Sequence, residues 1–116
     1  MQKLTQSQLN YMLCIRALST EGHVRATDIS RQIGLSMPSV HHMLGTLENL
    51  SLVEKHRHAV FLTDAGREAL GYYDIAVAAG EKLLHSIGIT DCRDDAVALV
   101  TALSEAAVDK LIEKLM

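Results

Sequence analysis

The stretch GLSMPSVHHMLGTL, residues 34–47, contains the single proline of this 116-residue chain. Proline breaks a helix interior, but in the first turn its missing N–H removes no hydrogen bond. Ser36, two residues earlier, is a typical N-cap residue, and Gly34 suits the left-handed position that ends a preceding helix. The stretch therefore predicts one helix ending, a short turn, and a second helix that begins near Pro38.

The helix that begins at Pro38 has two different faces. Its apolar residues recur at i, i+3, i+4 and i+7, and they are Val40, Met43, Leu44 and Leu47. This spacing predicts a buried face. The outer side is polar and has no acidic residue before Glu48; it carries Ser39, His41, His42 and Thr46.

Two further helices are predicted before the turn. Thr5 and Gln8 have the spacing of a capping box, and the apolar stripe that follows predicts a helix over residues 6–19. A second, shorter helix is expected over residues 27–33, and Gly34 ends it. A short turn between the second and third helices is typical of a helix-turn-helix.

The next segment favours strands. Residues 52–55 and 59–62 are rich in β-formers and are joined by His56-Arg57-His58, which predicts a short hairpin with a basic tip. Three helices followed by such a hairpin form a winged helix-turn-helix. Thr63 is placed to cap the following helix.

The remainder of the chain is predicted to be helical. Residues 72–87 form one helix that Gly88 ends, Asp91 caps a second helix through about residue 103, and Ser104 caps the last. The fold class expected is therefore mainly α, a winged helix-turn-helix followed by a short all-helical region. The small-residue stretch GYYDIAVAAG suits close helix packing, either at a dimer interface or in a buried core.

The distribution of charge and the absence of a long apolar run favour a nucleic-acid-binding protein over a membrane protein. The net charge is −3, yet residues 1–67 hold seven Lys/Arg against five Asp/Glu, whereas residues 68–116 hold four against nine. This asymmetry favours a nucleic-acid face on the N-terminal half. No run reaches the roughly 18 apolar residues of a membrane span, and the two cysteines form no CxxC pair, so we expect a cytoplasmic protein without a membrane partner.

The chemistry expected of a winged helix-turn-helix assigns roles to these side chains. Its third helix enters the major groove of double-stranded DNA, where hydroxyls and imidazoles meet base edges and apolar groups touch thymine methyls. Basic residues before the second helix and on the wing neutralise phosphates. The predicted DNA-binding set is Arg25, Thr27, Ser36, Met37, Pro38, Ser39, His41, His42, Thr46, Lys55, His56, Arg57 and His58.

An ordinary exposed turn remains an alternative for residues 56–58, and a histidine pair at i, i+2 is only a weak indication of metal. Nothing in the chain indicates catalysis: it has no phosphate loop and no Ser-His-Asp set in a recognisable context. We therefore do not expect an enzyme.

Residues 24–69 resemble the DNA-binding domain of the diphtheria-toxin-repressor family, which are iron- and manganese-dependent transcriptional repressors. The matching features are Val24-Arg25, Thr27-Asp28-Ile29, Ser36, Pro38-Ser39-Val40, Leu52-Val53, and Leu62-Thr63 followed by Gly66. The similarity is clear over about residues 8–70 and weaker to the end, where Ser104 again matches.

The resemblance implies a homodimer that reads a roughly palindromic operator. It implies a DNA-binding domain in residues 1–70 and a helical dimerisation domain in residues 71–116. Arg25 would contact a phosphate, and Pro38, Ser39 and His42 would occupy base-reading positions. Glutamine is more usual where His42 stands, so the operator sequence cannot be carried over.

The chain departs from this family at the metal ligands. The positions that hold them are occupied here by Asn10, Leu13, Ala76, Gly80, Val97, Val100 and Thr101. None supplies the carboxylate or imidazole donors that iron or manganese needs. We expect no cofactor; the alternative is iron or manganese at a displaced site formed from His85, Asp91, Cys92, Asp94 and Asp95.

The leading hypothesis is a homodimeric, sequence-specific transcriptional repressor without the usual metal switch. One alternative is a regulator of the multiple-antibiotic-resistance type, with a small organic ligand in its dimer interface. Another is a winged-helix module that binds a protein partner and no DNA. A steep dependence of DNA affinity on salt separates the first two from the third.

Overall fold

The computed structural model describes residues 3–116. In this range the chain forms six helices and two strands, in the order α1 Gln6–Ser19, α2 Ala26–Ile33, α3 Met37–Asn49, β1 Val53–His56, β2 Ala59–Leu62, α4 Asp64–Ser86, α5 Arg93–Ala102 and α6 Glu105–Leu115. The fold is a winged helix-turn-helix followed by helices, which confirms the predicted fold class. None of the helices in residues 3–116 is long and apolar enough to cross a membrane.

The chain divides into two compact units. One comprises Ser7–Glu68, here called the winged-helix unit, and the other comprises Ala69–Met116 with the described residues up to Gln6, here called the helical unit. The assignment of DNA binding to residues 1–70 and of dimerisation to residues 71–116 stays a prediction.

The core of the winged-helix unit is built from leucine, isoleucine, valine and methionine. Its fully buried side chains are Leu9, Met12 and Ile15 of α1, Val24, Ile29 of α2, Val40, Leu44 and Leu47 of α3, and Val53 of β1. Met43, predicted on the same face, is only half-buried. Each buried side chain of this size contributes about 1.5–3 kcal/mol, so the apolar face of α3 is what orients its polar face outward.

The turn between α2 and α3 confirms the prediction from Gly34 and Ser36. Gly34 has φ 80° and donates its N–H to the carbonyl of Ser30, which ends α2. Ser36 accepts a hydrogen bond from the backbone N–H of Ser39 at 3.3 Å. Pro38 lies in the first turn of α3, where it has no helical hydrogen bond to lose.

The wing is an antiparallel hairpin in which Val53 pairs with Leu62 and His56 with Ala59. His56 belongs to β1, so the tip is shorter than predicted and consists of Arg57 and His58, with Arg57 at φ 59°. The hairpin is attached to the rest of its unit through the N–H of Val60, which donates to the carbonyl of Val24 at 2.8 Å.

The helical unit differs from the prediction at one helix start. The helix that Thr63 was predicted to cap does begin at Asp64, where Thr63 accepts from the N–H of Gly66, and it runs unbroken to Ser86. Asp91 was predicted to cap α5, and this is wrong: Cys92 precedes the helix, and Asp91 has a left-handed φ of 53°. Ser104 caps α6 by accepting from the N–H of Ala107, as predicted.

Gly66 provides a test of the packing in the winged-helix unit. A Cβ at this position would lie inside contact distance of the Leu52 carbonyl oxygen, which belongs to backbone and cannot swing away. We expect Gly66→Ala to lower the free energy of unfolding by about 1–3 kcal/mol, the usual cost of overpacking. The measurement is urea denaturation followed by circular dichroism.

Gly71→Ala is the matched control, since Gly71 is exposed on the same helix and nothing packs within 4 Å of a Cβ there in the described chain. It should stabilise by about 0.5–1 kcal/mol through helix propensity. If the two substitutions changed the free energy of unfolding equally, Gly66 would not be in close contact with the Leu52 carbonyl.

Tyr72 should make stability depend on pH in the alkaline range. Burial, followed by its hydrogen bond to Asp109 at 3.0 Å, raises the pKa of Tyr72 from 10.0 to about 12. As pH rises from 10 towards 12 the unfolded chain loses this proton first, so the free energy of unfolding falls. Tyr72→Phe should flatten this decline in urea titrations; an unchanged slope would show that other groups cause it.

Candidate nucleic-acid interface

The N-terminal half of α3 borders an open cleft of about 420 Å³, here called the wing cleft. Its polar lining comes from three elements: the start of α2, the exposed side of α3, and the wing. The residues are Arg25, Thr27, His41, Lys55, Arg57 and His58. Within the part of the chain that the structure describes, no carboxylate lines this cleft, so it concentrates positive charge.

The carboxylate closest in sequence to Arg25 is engaged elsewhere. Asp28 accepts the backbone N–H of Arg25 at 2.9 Å, and its other oxygen lies 3.8 Å from the guanidinium of Arg31. This local arrangement starts α2 and leaves the guanidinium of Arg25 in the lining of the wing cleft. Arginine there can hold a phosphate with two parallel hydrogen bonds.

A second groove of about 450 Å³ runs along the other side of α3, and we call it the Pro38 groove. It is lined by Ser7 and Tyr11 of α1, Leu35 of the turn, and Pro38, Ser39, His42 and Met43 of α3. Of residues 3–116, those that line this groove include no lysine, arginine, aspartate or glutamate. Its surface combines apolar area with hydroxyl and imidazole groups, which is the combination that reads base edges and thymine methyls.

Sequence reasoning missed Tyr11 and Leu35 as members of this surface. Tyr11 was absent from the predicted set because its position in the first helix gave no sign of a groove. Leu35 could have been found, because an apolar residue in the three-residue turn between α2 and α3 has no helix face to bury, and it is 45% exposed. Both residues stand beside Pro38 and His42 in the groove.

The predicted residues differ in how freely they can reach a ligand. Met37 and Thr46 are half-buried, and the other predicted residues are exposed. Thr46 donates its hydroxyl to the carbonyl of His42 at 3.2 Å, inside its own helix. Ser36 donates to the Ser39 hydroxyl at 3.0 Å while it caps α3, so its main role here is to begin the helix.

The wing separates two of the residues that the sequence grouped together. Side chains alternate across a strand, so Lys55 lies on the opposite side from Glu54 and His56. The ring nitrogen Nε2 of His56 lies 3.2 Å from Glu54, and the imidazole packs edgewise on Phe61 at 5.9 Å between ring centres. His56 is thus outside the wing cleft that its neighbours Lys55 and Arg57 line.

The positions of the family's metal ligands do not fit a metal ion. Gly80 packs against α5, where a Cβ would already meet Ala96 and Val100 at 3.3 Å. Ala76 and Val97 are buried, and the hydroxyl of Thr101 donates to the carbonyl of Val97 at 2.7 Å. Carboxylate or imidazole donors are absent from all of these positions.

The alternative metal site, formed from His85, Asp91, Cys92, Asp94 and Asp95, is also not supported by the geometry. In residues 3–116, His, Cys, Asp and Glu side chains form no group of three that could hold a metal ion. Cys92 is buried and its thiol points to the carbonyl of Glu81 at 4.0 Å. That the protein uses no metal cofactor stays a prediction.

In a comparison with protein families, residues 15–57 match the IclR helix-turn-helix domain. This segment runs from α1 to the start of the wing tip, and the family differs from the one that the sequence resembled. No relative among the curated proteins matches the chain significantly.

Solved structures give similarities over nearly the whole chain. The hypothetical protein SSo2273 from Sulfolobus solfataricus is 26% identical, with a TM-score of 0.77, over 97% of this chain and 89% of that one. ScaR with bound Zn²⁺ is 25% identical, with a TM-score of 0.79, over 93% and 53% of the two chains. IdeR of T. acidophilum shares the fold at 24% identity and a TM-score of 0.68, over 98% and 55%.

Fold, site and comparisons define one class of protein, the winged helix-turn-helix DNA-binding transcription regulators. The metal-dependent transcriptional regulator MtsR is also among the similar structures, at 19% identity and a TM-score of 0.80, which supports the resemblance at the level of fold. The chain spans about half the length of ScaR and of IdeR.

Ser36 provides a test of how α3 is held in place. We expect Ser36→Ala to lower the free energy of unfolding by about 1 kcal/mol, because the N–H of Ser39 loses its acceptor. Ser36→Asn keeps a capping oxygen and should restore most of this loss. Urea denaturation measures both variants, and an unchanged stability of Ser36→Ala would show that the cap contributes nothing.

Proposed function

We propose that this chain is a homodimeric, sequence-specific transcriptional repressor of the diphtheria-toxin-repressor type, which acts in the cytoplasm without a metal switch. The observation that carries the proposal is the wing cleft beside the exposed face of α3. Arg25, Lys55 and Arg57 converge there from two elements, next to a helix whose outer side carries no carboxylate before Glu48. Phosphate contacts from such a cleft position the helix that reads the bases.

The proposed complex places α3 in the major groove of double-stranded DNA. Its N-terminus carries a partial positive charge from the helix dipole, which favours an approach to the phosphate backbone. Pro38, Ser39 and His42 then face base edges, while the wing lies along the backbone. A repressor of this kind acts by occupying its site and excluding the transcription machinery.

The proposed dimer would use residues 71–116. Exposed apolar side chains in the helical unit support it, namely Ile75 at 48% and Ile87 at 67% exposure, with Leu111, Ile112 and Leu115 half-exposed on α6. Two copies related by a two-fold axis would read half-sites about one DNA turn apart, or a multiple of it, so the operator would be a near-palindrome.

Metal independence is supported by the packing at the former ligand positions. Gly80, Ala76 and Val97 are buried among apolar neighbours, so a metal ion would find no donor there. We infer that folding alone, and not metal binding, orders the helical unit. Iron or manganese at a displaced site is the outcome that would replace this part of the proposal.

The test is fluorescence anisotropy of the purified chain on a duplex selected by it from a random-sequence pool. One arm contains a strong chelator and the other contains Mn²⁺ or Fe²⁺. We expect tight, site-preferring binding in both arms, because no metal is needed to order the protein. Binding only with metal would reveal a displaced site, and tightening by a small organic molecule would favour the multiple-antibiotic-resistance type.

A paired variant tests the wing cleft in the same assay. Lys55→Gln with Arg57→Gln should weaken binding to all sequences about equally and reduce the slope of log affinity against log salt by about two. Lys110→Gln with Lys114→Gln removes the same charge from exposed positions on α6 and is the control. If wild-type protein shows no salt-dependent DNA binding, the protein-interaction module becomes the better description.

A further inference from the structure

His41 and His42 are neighbours in sequence but lie in different grooves. His41 lines the wing cleft, together with Arg25, Lys55, Arg57 and His58. His42 lines the Pro38 groove, together with Tyr11, Leu35 and Pro38. Successive residues of an α-helix are turned by about 100° from one another, so an adjacent pair on an exposed face necessarily points to two sides.

We propose that His41 is a phosphate ligand of the wing cleft and makes DNA affinity depend on pH, a role separate from the base-reading role already proposed for His42 in the Pro38 groove. This inference rests on the proposed DNA-binding function and assigns separate roles within its site. It predicts that one histidine controls how strongly any DNA is bound and that the other controls which DNA is bound.

The surroundings of His41 favour an anion. The groups that face it are Arg25 from the start of α2, and Lys55, Arg57 and His58 from the wing. On α3 itself the adjacent ionisable group is His42, and the first carboxylate is Glu48, almost two helical turns away. Glu54 is turned to the other side of the wing, where it pairs with His56.

A phosphate in this cleft would favour the protonated form of His41. A cation beside a phosphodiester is stabilised by Coulomb attraction, so the complex would bind a proton more readily than the free protein does. By linkage, the affinity for DNA rises as pH falls through the range where histidine titrates. Because the anion does not depend on base sequence, this gain applies to every site equally.

The surroundings of His42 favour a base edge. Its groove is lined by the exposed side chains of Leu35 and Pro38, the half-buried Met43 and the largely buried Tyr11, and this apolar surface suits a thymine methyl group. The imidazole supplies one donor and one acceptor when neutral, which is enough to distinguish base pairs in the major groove. No lysine or arginine of the described chain lines this groove to hold a phosphate beside it.

The experiment compares His41→Gln with His42→Gln, because glutamine keeps hydrogen-bonding capacity without the titration. Both positions are exposed, and unfolding curves would verify that the variants remain folded. Anisotropy is measured on the duplex selected by the wild-type protein, at about pH 6 and about pH 8, over roughly 50–200 mM salt. A panel of single base-pair changes in that duplex gives the sequence preference.

We expect His41→Gln to lose most of the rise in affinity at low pH and to reduce the salt slope at about pH 6 by up to one. Its ranking of the duplex panel should match that of the wild type. His42→Gln should keep the pH and salt dependence but change the relative affinity by about 5- to 100-fold at one or two base-pair positions.

His85→Gln is the matched control, since His85 is exposed and lines neither groove, and His58→Gln tests the other histidine of the wing cleft. The proposal is overturned if His58→Gln or His42→Gln removes the whole pH dependence, or if His41→Gln re-orders the duplex panel. A wild-type protein that selects no duplex overturns the proposed function and this inference together. Wild-type binding with no difference between the two variants overturns only the division of roles.

Discussion

The backbone of Leu52 is the point on which the winged-helix unit depends. Its N–H donates to the carbonyl of Leu47 at the end of α3, and its carbonyl accepts from the N–H of Thr63 at 3.1 Å. Gly66 packs directly on that same carbonyl. One residue therefore joins the end of the recognition helix, the base of the wing and the beginning of α4. This junction holds the base of the wing against the end of α3.

The two sides of α3 show how one helix can serve two kinds of contact. Burial of Val40, Leu44 and Leu47 fixes the rotation of the helix about its axis. That rotation turns His41 towards cations of α2 and the wing, and His42 towards an uncharged, partly apolar groove. With the roles proposed above, affinity and sequence preference would change independently, because phosphate contacts carry no base information and base contacts add little charge.

The helical unit has apolar packing at the positions where the resemblance would place metal ligands. Glycine at residue 80 lets α4 approach α5 closely, and Ala96 and Val100 fill the space that a longer side chain would need. Each apolar group buried there stabilises the unit without a metal. This packing supports a regulator whose DNA affinity is set by its concentration, by dimerisation or by another signal.

Local signals in the sequence determined most of the helix starts and the helix-turn-helix, because caps and turn glycines act within a few residues. Ser36, Thr63, Ser104 and Gly34 stand where their chemistry predicted. Asp91 does not cap α5 because the backbone there is in the left-handed region. The preference of aspartate for helix starts does not predict that backbone conformation. The set of exposed polar residues was also readable from the sequence, since helical periodicity separates them from the core. Only the tertiary structure decided that His41 and His42 enter different grooves and that His56 turns to Glu54, because the walls of each groove come from distant parts of the chain.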